Sequence, residues 1–213
     1  MASIGLRKPF YAKYSYSAES DSVTYSDGGL LAKAVQFSAS VAASEDSTLY
    51  ADDGLAESEK SFADGTVSLT TDDLTQEASA AILGITPKDV TVGESQYKEL
   101  VYDDDVVSPY LGLGVIIPKI RNRVRSFRAV VLPKVKFNVP DESATTQGQT
   151  IEWQTPQISG TIYRSDAGKH PYKMEATFTA EDDAIAYIKP KLNITDPTSA
   201  PSGTGGEKEN DLE

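Results

Sequence analysis

The sequence predicts a mainly β domain of the α+β kind: a β-sandwich or partly closed barrel with one or two short flanking helices and a long loop or hairpin. Three observations carry this expectation. Apolar residues alternate with period two in stretch after stretch, as in Val35, Phe37, Ala39 and Val41. The 11 tyrosines and 6 phenylalanines suit strands. Only two short windows carry an apolar stripe at helical spacing.

The first strand is expected over 31–41, with Gln36, Ser38 and Ser40 on the wet face. A second lies over 65–69, carried by Val67 and Leu69. The Val-rich segment 127–137 reads as a long strand, and Pro133 inside it marks a bulge, an edge position or a break. Strands over 149–154 and 157–163 flank Thr155-Pro156, and 172–179 alternates again. One helix is expected over 72–83, capped by Thr71 and ended by Gly84. The other spans about 180–188, capped by Thr179 and ended by Pro190. Three Asp-Gly pairs, at 27–28, 53–54 and 64–65, suggest tight turns. The acidic stretch 44–64 is too long for an idle loop in a small domain. Residues 1–192 form the expected domain. Residues 193–213, rich in Pro, Gly, Ser and acids, read as a flexible tail.

Composition excludes several function classes. The 213 residues contain no Cys and one His, which removes thiolate metal sites, Cys nucleophiles and any chemistry needing two imidazoles. The net charge of −12 argues against a nonspecific nucleic-acid binder. No apolar run approaches a membrane span and the N-terminus carries no signal-peptide core, so a soluble protein made in a cytosol is expected. The charge is divided: 1–118 hold 19 acids against 7 bases, while 119–192 hold 8 acids against 12 bases.

Candidate chemical sites are weak. Asp103-Asp104-Asp105 in a strand would send alternate carboxylates to opposite sides, so a solvated acidic loop is the better reading. Asp52-Asp53-Gly54 with Glu57 and Glu59 lacks the ligand spacing of a calcium loop. His170 reads as a surface residue in a turn, and Gly112-Leu113-Gly114 is a faint phosphate-loop signal. No catalytic constellation stands out; the expectation is a non-enzyme with no cofactor and no metal. The basic row is more informative. Lys119, Arg121, Arg123 and Arg125 occur at every second residue, which in a strand places four cations on one face. Such a face calls for water, phosphate or an acidic partner, which 44–64 or 103–105 of another copy would supply.

Three segments carry a resemblance: GLRKPFYAKYS at 5–15, LYADDGLAESEKSFADGTVSLTTDDLTQEASAAILG at 49–84, and TIEWQTPQISGTIYRSDAGKHPYKMEATFTAEDDAIAYI at 150–188. Together they resemble the major tail proteins, the tail-tube subunits of phages with long non-contractile tails. The likeness covers most of 1–192 and lies in the order of elements: an acidic Leu-Tyr-Ala-Asp-Asp hairpin, a strand, and a capped helix ending in Leu-Gly. It implies six copies in a ring, rings stacked into a tube, and strands lining a channel through which DNA passes without specific binding. It further implies a place in the virion tail after assembly in the host cytoplasm, with tape measure, tail terminator and distal tail proteins as partners and no membrane. On this reading Leu49, Tyr50, Leu55 and Phe62, with the basic row, are candidate assembly contacts. Gln36, Ser38, Ser40, Glu152 and Gln154 are candidate channel-wall residues. A neutral or acidic wall would let DNA slide where a basic one would hold it. Two alternatives share the strands and the missing chemistry: a non-enzymatic β-sandwich binding module, of a baseplate or a surface adhesin, for carbohydrate or protein, and the related tube of type VI secretion. Against the first stands a single Trp, Trp153, where sugar sites favour aromatic platforms.

Overall fold

The structure, a computed structural model, describes residues 2–43, 61–141, 146 and 154–195, and the backbone of 47–51 and 54–59. Thirteen strands and two helices follow in order. They are β1 (Ala2–Ser3), β2 (Arg7–Ser17), β3 (Ser22–Leu30), β4 (Ala34–Ala43), β5 (Ser47–Ala51), β6 (Gly54–Glu59), β7 (Phe62–Thr71), α1 (Gln76–Leu83), β8 (Lys88–Val92), β9 (Ser95–Glu99), β10 (Tyr110–Arg121), β11 (Val124–Phe137), β12 (Gln157–Tyr163), β13 (Met174–Phe178) and α2 (Glu181–Lys191). The expected mainly β, sandwich-like class is what forms. One nine-stranded antiparallel sheet runs β3-β2-β10-β11-β12-β7-β4, with β1 beside β10 and β13 beside β11. Two hairpins, β5-β6 and β8-β9, stand apart from it.

The central pair β10-β11 is buried on both faces, which explains its near-continuous apolar sequence. Leu111, Leu113, Val115, Val130, Leu132, Val135 and Phe137 face an inner core. Val67, Leu69, Ile158 and Ile162 close it from the other half of the curled sheet, and Ile82 and Leu83 of α1 fill it. Ile116, Ala129 and Val131 face the opposite side, under Ala184, Ile188 and Leu192 at α2. Pro133 occupies the place where β11 changes partner. Residues 127–131 pair with β13 and residues 134–137 with β12, and the register against β10 slips between Leu111 and Leu113. The missing proline N–H therefore falls in a bulge, where no ladder bond is lost.

Several local expectations shift. The first helix begins at Gln76, because Thr75 Oγ1 accepts from Ala78 N while Asp72 Oδ1 accepts from Lys33 N and stays with the strands. Thr71 remains in β7, 1% exposed. Gly84 ends α1 at φ 73°, as a left-handed C-cap should. The second helix runs past Pro190, which sits inside its last turn. Burial of Leu192, fully inaccessible at the C-cap, outweighs the hydrogen bond that Pro190 forfeits. Of the Asp-Gly pairs, 27–28 and 64–65 lie within β3 and β7 rather than at turns. Asn193 and Ile194, assigned to the tail by composition, dock on β3: Asn193 Nδ2 donates to the Tyr25 carbonyl at 2.9 Å, and Ile194 lies against Gly28. Residues 196–213, the rest of the expected tail, lie outside the described residues.

Candidate assembly surfaces

The β12-β7-β4 part of the sheet buries one face and leaves the other bare. Phe37, Leu69 and Ile158 are cross-strand neighbours on the buried side, as are Ala39 and Val67. The opposite side shows aligned rows: Gln36, Thr70 and Gln157; Ser38, Ser68 and Ser159; Ser40, Thr66 and Thr161. This face is built of hydroxyls and amides and carries no charge over those nine positions. Gln157 Nε2 donates to Ser68 Oγ at 2.7 Å, so the rows bond laterally. The face therefore contains the candidate wall residues Gln36, Ser38 and Ser40 and six more that sequence reading passed over. Their signal was the Thr/Ser alternation in Thr66, Ser68, Thr70, Ser159 and Thr161.

The edge of this ribbon is interrupted only near its two ends, where the register of β4 against β7 slips between Ala34 and Gln36 and between Ala42 and Ala43; from Gln36 to Ala42 the pairing is even. β4 is ten residues long, AVQFSASVAA, with no charge and no proline, and among the described residues it pairs with β7 on one side only. Val35 is 55% exposed and Val41 40%, so the apolar face predicted as buried is only partly covered. Folded proteins guard such edges with lysine, proline, a bulge or a cover. The opposite edge, β3, carries the charge of Asp27, paired at 3.0 Å to Lys13 of β2, a register slip against β2, and the Asn193–Ile194 cover. About half of the backbone N–H and C=O groups of β4 face outward by the geometry of a strand.

The basic row is not one strand face. Asn122 (φ 51°) and Arg123 (φ 66°) form a two-residue turn between β10 and β11, closed by the pair Arg121 and Val124. Both residues sit in the left-handed region that a tight hairpin turn requires. Lys119 and Arg121 share one face of this hairpin. Arg125, opposite Ile120, lies on the other, and Arg123 is at the tip. The four cations thus surround a hairpin end. Arg121, Arg123 and Arg125 are exposed, and none of the four makes an ion pair among the described residues.

The other sequence candidates scatter. Leu49, Tyr50 and Leu55 fall on the β5-β6 hairpin, but their side chains lie outside the described residues. Phe62 is not a free anchor: its ring stacks on Tyr172 of the same chain at 4.4 Å and 12°. Glu152 and Trp153 lie outside the described residues. Gln154 precedes β12 in an irregular segment rather than standing on a strand, and it borders a cleft of about 610 Å³ with Asp73, Tyr102 and Pro140. Gly112 and Gly114 lie inside β10 rather than in a loop; they are the floor on which α2 sits, with Leu192 and Ile188 against them. Asp103, Asp104 and Asp105 form an exposed turn ahead of β10, and His170 Nδ1 lies 3.0 Å from the Ser165 carbonyl. Sequence reading missed the exposed β8-β9 hairpin, although Val90 and Val92 alternate ahead of Gly93, whose φ is 66°.

The densest polar cluster holds the loop after β12. Lys134, with its side chain 13% exposed, lies over the Tyr110 ring at 4.4 Å and bonds Asp166 Oδ2 at 2.5 Å. Tyr14 donates to the same carboxylate oxygen at 2.8 Å, and its own oxygen accepts from Asp166 N at 2.9 Å. The Lys134 hydrogen bond holds the Asp166 carboxyl below its ordinary range. The carboxylate and phenol are engaged with each other, so this is a clamp joining β2, β11 and the 164–171 loop. A second pair, Arg128 and Glu175, joins β11 to β13; Arg128 first and Lys173 second hold the Glu175 carboxyl down at about 2. A depressed acid stabilises the fold above its ordinary value near 4.5, and that contribution is lost as pH falls through the folded value. Stability is therefore expected to fall progressively between about pH 4.5 and 2. Arg128→Met should flatten that decline, read by chemical denaturation at stepped pH. An unchanged slope would show that Glu175 does not contribute.

Among the described residues no group of three His, Cys, Asp or Glu side chains converges as a metal site, and no helix is long and apolar enough to cross a membrane. Comparison with known protein families gives no matching family model, and comparison with curated proteins gives no relative.

Proposed function

We propose that this chain is a structural subunit that self-assembles into a tube, in which copies meet along β4 and the uncharged β12-β7-β4 face lines a channel. The observation that carries the reading is the ten-residue edge of β4. It is uncharged, without proline and evenly paired from Gln36 to Ala42, whereas the other sheet edge, β3, carries Asp27 and lies under Asn193 and Ile194. An edge of that kind adds a strand from another molecule unless something stops it. A channel lined by hydroxyls and amides offers a passing polyanion neither attraction nor strong repulsion. The resemblance to phage tail-tube proteins supplies the rest of the proposal: hexameric rings, stacking, a conduit for DNA ejection in a virion tail, and tape measure, terminator and distal tail partners. The reading needs no reaction centre and no cofactor.

Negative-stain electron microscopy of the purified chain, with sedimentation velocity over a concentration series, tests this. Rings or tubes of uniform diameter are expected as concentration rises. Dispersed monomers at every concentration, including in the presence of tail-assembly partners, would overturn the reading.

A further inference from the structure

The hairpin tip and the Asp103–Asp105 turn lie at opposite ends of one long strand. β10 runs from Tyr110 to Arg121, eleven residue steps, or about 37 Å in an extended strand. Asp105 precedes Tyr110 by five residues, a reach of about 17 Å at most. No bending of that link brings the acidic turn to the basic tip of its own chain. The turn is anchored at its own end: Val106 N donates to the Asp103 carbonyl, and Val107 and Pro109 lie against Gly84 at the end of α1. At the tip, β10-β11 extends past the last residue paired to β13, Phe127, and among the described residues only β1 accompanies it. The two charged groups are also alike in being unsatisfied. Asp103, Asp104 and Asp105 are exposed and form no ion pair among the described residues, like Arg121, Arg123 and Arg125. Of the three acids in the first turn of α2, Glu181 is engaged by Arg7 and Lys8, and Asp182 and Asp183 stand at the positive end of that helix's dipole.

We infer that the basic tip of one copy docks on the Asp103–Asp105 turn of a second copy placed end to end along β10. The inference rests on the assembly reading above and assigns these charges to stacking rather than to contacts within a ring. A surface with complementary groups at its two ends is heterologous: each copy offers a tip to one neighbour and a turn to the other, so the contact repeats without closing. Complementary charge fixes register and speeds encounter, and like charge in the same place is costly. β4 joins copies sideways, and the tip and turn join them lengthwise.

The test is a charge swap in the full chain. The tip variant carries Arg121→Glu, Arg123→Glu and Arg125→Glu; the turn variant carries Asp103→Lys, Asp104→Lys and Asp105→Lys; a third protein carries both sets. Each single set is expected to raise the concentration needed for tubes about tenfold or more, leaving short rings, while the combined protein recovers tubes. Thermal unfolding of each monomer should match the parent, because all six positions are exposed. If the parent forms tubes and both single sets do too at the parent's concentration, or if the combination fails to recover, this inference is wrong while the assembly reading stands. A parent that never assembles overturns both. A fluorescein-labelled 20-base-pair DNA duplex serves as the competing probe: tight binding lost in the tip variant, with no recovery of tubes in the combined protein, would make nucleic acid the partner and overturn the inference.

Discussion

Gly114→Val is expected to lower the melting temperature by roughly 6–12 °C, equivalent to about 3 kcal/mol in a domain of this size. A Cβ at Gly114 would stand 2.5 Å from Ile188 Cγ2 and 3.3 Å from Leu192 Cδ1. The first atom is fixed to a branched Cβ, so the helix must move as a body. Moving it uncovers Ala184, Ile188 and Leu192, all inaccessible to solvent, together with Ile116, Ala129 and Val131 beneath. Burial of each large side chain contributes about 1.5–3 kcal/mol, so a partial loss reaches the expected figure. Gly168→Ala serves as the control, because nothing lies within 4 Å of a Cβ there. A Gly114→Val protein that melts with the parent would mean that α2 is not seated through β10.

Val35→Lys combined with Val41→Lys is expected to abolish assembly while leaving a folded monomer. Both residues lie on β4 and are 55% and 40% exposed, so the monomer loses little apolar burial. Lysine on an edge strand is the device by which folded proteins refuse a further strand. A strand added to β4 would have to accommodate two ammonium groups, and repulsion across copies adds to the desolvation cost. The critical concentration should rise at least tenfold by sedimentation. Normal tubes from this variant would exclude β4 from the contact between copies.

What sequence alone disclosed follows physical range. The strands over 31–41, 127–137 and 157–163 were legible because period-two alternation is a local signal, and Pro133 announced its bulge for the same reason. The basic row misled because alternation continues smoothly through a two-residue turn. Lys119 to Arg125 looks like one strand, and only Asn122, a residue tolerant of positive φ, hinted at the reversal. The start of α1 was misplaced because Thr71 and Thr75 are equivalent as caps in sequence. The choice is made by Lys33, whose backbone N–H claims Asp72 from 39 positions away. The same limit hides the purpose of Gly112 and Gly114. A glycine pair reads as a loop until a helix 70 residues later is known to lie on it. In the candidate surfaces, the hydroxyl face was half visible through Gln36, Ser38 and Ser40. Its other rows depend on register between strands that are about 30 and 90 residues distant.

Amide hydrogen exchange of β4, compared between dilute monomer and assembled protein, tests the central claim most directly. In the monomer the outward N–H groups of residues 34–43 have no strand partner among the described residues and should exchange fast, while residues 129–132 in the centre of the sheet stay protected. On assembly the outward amides of β4 should become protected by at least about a hundredfold while β3, already covered by Asn193 and Ile194, changes little. Assemblies in which β4 exchanges as fast as in the monomer would contradict the account.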